Sequence, residues 1–232
     1  MGQRDASQKP IRLIPEYLRL LRVVGAGDGA MDFGLPIGDA EKTRIDSLWR
    51  ERGIHSGDQL IAMATGGKVP AQLWPVDRYA ALARELLLAF PDARLLIIGG
   101  RDDFGIADAI STSLGERVIN LAGRLTALES AEALRRCSLF VGNNSGPMHL
   151  AAVSGIPCVA VSSARNHPGM WDPYGDGHII LRRDSLPCSG CRLEYCEEKA
   201  LICLTGISVE EVLEACVSVL GRSIVQHHGT GY

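Results

Sequence analysis

Residues 140–157, FVGNNSGPMHLAAVSGIP, place an apolar run, two amides, a Ser-Gly turn, a proline and a histidine in an order that suits anion binding. The apolar run reads as a buried strand, and Asn143 and Asn144 end it. Gly146 lets the backbone approach a ligand closely. Pro147 falls in the first turn of the helix that follows, where its missing N–H costs nothing. The free N–H groups of that helix terminus are a ready site for a phosphate. His149, in the same turn, is near enough to donate to a phosphate oxygen. A plain strand-turn-helix with a core histidine has the same pattern. Lys68, in the glycine-rich run GGK, is a second candidate and would meet phosphate as a point cation.

A different constellation lies further on, in PCSGCRLEYCEEKALIC. Cys188, Cys191, Cys196 and Cys203 follow the spacing Cys-x2-Cys-x4-Cys-x6-Cys. Four thiolates in one loop could hold a structural zinc tetrahedrally, and an iron–sulfur cluster is a further option. Reduced, partly buried thiols are the alternative. Cys137, Cys158 and Cys216 sit in apolar settings and read as small core residues. There is no P-loop, no Ser-His-Asp order and no catalytic carboxylate pair. Asp172 and Asp176 flank a Pro-Tyr-Gly turn and read as turn formers.

The elements that position these residues alternate. Strands are expected at 60–65, 93–100, 118–123, 139–144, 157–163 and 178–183. Helices are expected at 76–90, 103–114, 127–136, 147–154 and 208–220, the last capped by Ser208. This rhythm predicts a doubly wound, Rossmann-like α/β domain with a parallel sheet. Its ligand site belongs at the carboxyl ends of the strands. Residues 1–54 lack the rhythm. They read as a bridging segment with a helix at 11–24, a glycine-rich linker at 25–38 and a second helix at 40–52, capped by Asp39. The domain proper is expected over 55–222, with a tail at 223–232. Of the 232 residues, 46% are hydrophobic and only 5% aromatic, so the core must be mostly aliphatic. A net charge of −3 argues against a broad nucleic-acid-binding face. No apolar run reaches the length of about 18 residues that a membrane span needs.

Three segments carry a family resemblance. SGPMHLAAVSGIP resembles the signature of glycosyltransferase family 9, the heptosyltransferase-like enzymes of bacterial lipopolysaccharide assembly. GGKVPAQLWPVDRYAALAREL (66–86) and ARLLIIGG followed by Asp102-Asp103 resemble that family's segments in the same order. The match covers roughly residues 55–220. It implies the C-terminal, nucleotide-sugar-binding half of a two-domain GT-B fold. The acceptor domain, and the general base expected in it, would lie outside this chain or on a separate partner.

The resemblance implies inverting, metal-independent transfer from a nucleotide-diphosphate sugar to a glycan or lipid-linked acceptor, with no required cofactor. It places Ser145, Gly146, Met148 and His149 in the diphosphate-and-sugar loop, Asp102 at the ribose hydroxyls and Leu125 beside the base. Two departures stand out. Gln72 and Leu73 replace a basic pair before Trp74-Pro75, and Asn144 replaces an aspartate. Gln72 can still donate a hydrogen bond, and Lys68 or Arg165 could restore charge to a leaving diphosphate. The departures also allow a catalytically inactive nucleotide-sugar-binding module serving as a partner subunit. A cytoplasmic location is expected. The basic, apolar segment IRLIPEYLRLLRVVG is either a peripheral contact with the inner membrane or an ordinary amphipathic helix.

Overall fold

The computed structural model describes residues 34–197 and 199–228; the helix expected at 11–24 lies outside them. Six strands form one parallel sheet: β1 (Gln59–Ala64), β2 (Ala93–Ile97), β3 (Val118–Asn120), β4 (Leu139–Asn143), β5 (Cys158–Val161) and β6 (Ile179–Leu181). Their order is β3-β2-β1-β4-β5-β6. The four residues of each of β4's and β5's pairings run in register from Phe140 opposite Cys158 to Asn143 opposite Val161. The chain builds outward from β1 to β3, crosses to β4, and builds outward again to β6. The crevice between β1 and β4 is therefore the switch point, where the connecting loops diverge.

Continuous apolar runs such as Leu60–Ala64 and Leu95–Ile97 form the sheet because both of its faces are covered. On one face α2 (Val76–Ala89), α3 (Phe104–Leu114) and α7 (Val209–His228) pack over Ile61, Met63, Leu95, Ile97 and Val141. On the other, α1 (Asp39–Glu51), α4 (Ala127–Arg135) and α5 (Gly146–Val153) pack over Leu60, Ala62, Leu96 and Phe140. A short helix, α6 (Ile202–Thr205), precedes α7.

Among the described residues the expected strands and helices are present, shortened at some ends where the chain turns out of the sheet. Two boundaries move. The helix expected in the bridging segment is α1, and Ile45, Leu48, Trp49 and Ile54 are buried in the second core cluster. Residues 39–54 thus pack as part of the domain. Arg136 fixes them to α4, donating to Asp46 and Glu132 at 2.7 Å each. At the other end α7 continues to His228, through the first residues of the expected tail. Asp39 does not cap α1. Gly38 holds the cap position and its N–H donates to Glu41 at 2.9 Å, leaving Asp39 in the first turn where its charge suits the helix dipole. Ser208 does cap α7: it accepts from the Glu211 N–H at 3.2 Å, and its own N–H donates to the Glu211 carboxylate at 2.9 Å.

Trp74 fastens the segment between β1 and α2 to the end of the domain. Its ring is fully buried, meets Tyr79 edge-on at 4.9 Å, and donates Nε1–H to the Ile207 carbonyl at 3.0 Å. The polar edge of the indole is thereby satisfied, so its large apolar face is buried without an orphan donor. Arg78, one turn into α2, adds bonds to the carbonyls of Thr205 and Ile207. Among the described residues no helix is long and apolar enough to cross a membrane.

Candidate functional site

Three loops meet where β1, β2 and β4 end. β1 runs out through Thr65 into Gly66, Gly67 and Lys68, then a 3-10 turn at Pro70–Gln72. β4 ends in Asn143, whose side chain is fully buried. Its Oδ1 accepts from the Trp74 N–H at 2.9 Å, and its Nδ2 donates to the carbonyls of Thr65 at 2.9 Å and Gly66 at 3.4 Å. One amide thus satisfies a buried donor and two acceptors from loops that have no regular structure to do so. The spacing of the crevice rests on that crossbar.

Above it, Ser145 leads into α5 with extended backbone. Its hydroxyl donates to the Asn143 carbonyl at 3.4 Å and leaves the helix uncapped. The Ser145 carbonyl accepts from the N–H groups of Met148 and His149. Pro147 has no N–H, so the Gly146 N–H stands at the tip without an acceptor among the described residues. An uncapped terminus at the switch point leaves N–H groups of the kind that suit an anion. Lys68 is exposed in the facing loop and forms no ion pair with a described residue. Gln72 is half-buried in the 3-10 turn, and Leu73 packs against Gly67.

Asp102 and Asp103 are placed differently. Asp102 is exposed in the 3-10 turn at Arg101–Asp103. The carboxylate that faces the crevice is that of Asp103, which accepts from the Gly100 N–H at 2.7 Å. It lies so close over Gly66 that any Cβ there would overlap it. Beside it, Gly99, Gly100, Arg101, Gly123 and Leu125 line a cavity of about 360 Å³ at the ends of β2 and β3. Gly123 is left-handed (φ 69°), and a Cβ on it would stand 2.8 Å from the Arg101 backbone. Leu125 follows β3 and lines this cavity. Thr126 holds its loop by a reciprocal bond pair with Glu129.

Met148 does not line the site: it is fully buried in the second core cluster. Asn144 and Ser145 are half-buried at the turn itself. His149 is half-buried, and burial lowers its pKa below the usual imidazole value, against a weaker upward pull from Asp172. Asp172 is a turn former that also sits beside the site. Its carboxylate accepts from the Gly169 N–H and from Arg182, both at 3.0 Å. Arg165 is engaged by the cysteine loop, donating to the carbonyls of Leu193 at 2.7 Å and Arg192 at 2.9 Å, whereas Lys68 has no such bond to a described residue.

Sequence reasoning missed Asn143, Asp103 and Trp171. Only Asp103 carried a local signal, the N-cap-to-N3 spacing from Gly100. Trp171 is 49% exposed, with its ring 6.4 Å from that of His149.

The four loop cysteines line a separate cavity of about 440 Å³, with Ala71, Ala164 and Tyr195. It is larger than the cavity at β2 and β3, and Arg165, Glu197 and Lys199 also line it. Among the described residues no three His, Cys, Asp or Glu side chains are placed to hold a metal ion. Burial raises the Cys203 thiol, and raises those of Cys137, Cys158 and Cys216 to about 12, as expected of core thiols.

The fold is a doubly wound α/β domain with an uncapped helix terminus at its switch point. The sequence profile of glycosyltransferase family 9 (heptosyltransferase) matches residues 34–202, and the chain belongs to that family. It is 26% identical over 176 residues to lipooligosaccharide heptosyltransferase 2 of Campylobacter jejuni, covering 73% of this chain and 54% of that protein. Against the Haemophilus influenzae enzyme of the same name it is 33% identical over 116 residues, covering 49% and 33%. The chain thus spans about half, or less, of the length of these curated relatives. Among solved structures, a family 9 glycosyl transferase from Veillonella parvula superposes with a TM-score of 0.77 at 24% identity, covering 95% of this chain and 63% of that one. The ADP-heptose lipopolysaccharide heptosyltransferase II of E. coli superposes at 0.67 and 22% identity, covering 85% and 56%. At these identities the superpositions establish a shared fold.

Proposed function

We infer that this domain binds the donor in a heptosyltransferase-type reaction, holding the diphosphate of a nucleotide sugar at the start of α5. The observation that carries the reading is the uncapped Gly146 terminus, held across the switch point from Gly66 by the Asn143 crossbar. The nucleoside would occupy the cavity beside Leu125, with Asp103 rather than Asp102 facing its ribose. Lys68 supplies the mobile positive charge. As the glycosidic bond breaks, negative charge grows on the diphosphate. Donors fixed before the reaction stabilise it without reorganising. The acceptor hydroxyl would attack from the opposite face of the sugar and invert the anomeric centre. The acceptor, a lipopolysaccharide precursor or related glycan, and the base that deprotonates it are assigned to the part of the enzyme outside this domain. Binding, orientation and leaving-group stabilisation by these groups need no metal.

A second reading rests on Gln72, Leu73 and Asn144. Without a basic pair or an aspartate at those positions, the domain would bind a nucleotide sugar as an inactive partner subunit.

Calorimetric titration with ADP-, GDP-, UDP- and dTDP-sugars tests the donor site. One base is expected to bind, with affinity reduced by Lys68→Ala. Failure of all four at millimolar concentration would sink the donor reading.

A further inference from the structure

The donor reading leaves the sugar without a seat. Strand order supplies a direction. The nucleoside cavity lies at the ends of β2 and β3, and the phosphate terminus follows β4. Beyond β4 along the same carboxyl edge comes β5, and the chain leaves β5 through Ser162, Ser163 and the loop that carries Trp171. From β3 to β5 is four strand spacings, about 19 Å. Base, diphosphate and sugar would therefore lie in line across the sheet.

What stands at the far end fits a sugar. Trp171 presents its indole beside His149, at the level of the first turn of α5. It is half-exposed although its neighbours in the loop are held firmly. Asp172 bonds the Gly169 N–H and Arg182, and Pro173 is buried. The loop that carries the ring is thus held in place on both sides of it. An aromatic face kept in solvent by a fixed loop matches the C–H face of a pyranose, while sugar hydroxyls turn to water or polar groups. Where the chain leaves β5, the buried hydroxyls of Ser162 and Ser163 have no hydrogen-bond partner among the described residues.

The geometry points to Trp171 as the platform for the donor's sugar ring, beside His149, making it a specificity residue for the sugar rather than the nucleotide. This rests on the donor reading above.

The test compares ADP with ADP-heptose by calorimetry on the wild-type chain, Trp171→Ala and Trp171→Phe, with melting curves to confirm folding. If the screen selects another base, the corresponding diphosphate and sugar nucleotide are used. Trp171→Ala should weaken the sugar nucleotide roughly 3- to 10-fold and leave the diphosphate within about 2-fold, since an aromatic contact is what is lost. Trp171→Phe should recover most of the difference. Equal weakening of both ligands, or no change in either, overturns the platform while leaving the donor reading standing. If the wild-type chain binds neither ligand with any base, the donor reading itself fails and the platform with it.

Discussion

The crevice between β1 and β4 and the cysteine loop at residues 188–203 are opposite kinds of place. The crevice is made of ordinary residue types: two asparagines, a serine, several glycines. Yet its backbone is cross-linked by one buried amide, and Gly66 has no room for a side chain. The cysteine loop has the more arresting sequence and the looser structure. Arg192, Ala200 and Leu201, the non-glycine residues with positive φ among those described, all fall in it. Leu193, Tyr195 and Ile202 are exposed there. Spacing of reactive residues along a chain is thus a weaker guide than convergence of partners in space.

The largest test of that difference is Asn143→Leu. The substitution keeps the branching of the side chain but adds bulk, and it strands the Trp74 N–H and the Thr65 carbonyl in the interior. It should cost about 3 kcal/mol, read as a shift in the urea midpoint at constant slope. A cost below about 1 kcal/mol would mean that the loops do not depend on the crossbar.

His149 offers a smaller effect that sharpens the account of the crevice. Burial holds its pKa below the ordinary value, so the free imidazole is neutral at pH 7. A bound diphosphate favours the imidazolium and raises that pKa. Binding then takes up protons, and affinity for a nucleotide sugar should rise as pH falls from 8 toward the free-state pKa, by no more than tenfold per unit. Titration at several pH values would show it, and His149→Gln should flatten the slope. In the unliganded protein the sign is opposite. The unfolded imidazole takes up protons near pH 6.5 before the native one does, so stability falls as pH drops below that value.

The smallest effect is expected in the other region. Cys191→Ser, at an exposed thiol, should change stability by less than about 0.5 kcal/mol, and elemental analysis of the purified chain should find zinc and iron below stoichiometric amounts. Stoichiometric metal, lost in the variant, would reverse the comparison and make the loop the better-built region.

Most of the fold was legible because both sheet faces are covered. Runs such as Leu95–Ile97 then have to be apolar throughout, and the helices between them show their buried stripe. The site was legible as a place, the turn at Ser145-Gly146, but not as a set of contacts. Successive residues on a strand or tight turn face opposite ways, so Asn143 and Asn144, or Asp102 and Asp103, are indistinguishable in type while differing wholly in what they touch. Met148 shows the same effect: in the first turn of α5 it is buried in the core while its neighbour His149 is only half-buried. Trp171 sits in a loop without periodicity, where nothing local indicates which way a ring will point.

The crossbar has a consequence for how the protein comes into being. Asn143 meets Trp74 across 69 positions of sequence and Thr65 across 78. Contacts that distant form only after the intervening chain has been ordered, and parallel pairing of this kind is slow. On the ribosome, the segment emerging with β1 must wait for β4 before the pocket between them exists. An intermediate with β1 to β3 assembled would be compact and unable to bind, so ligand capture would report completion of the domain.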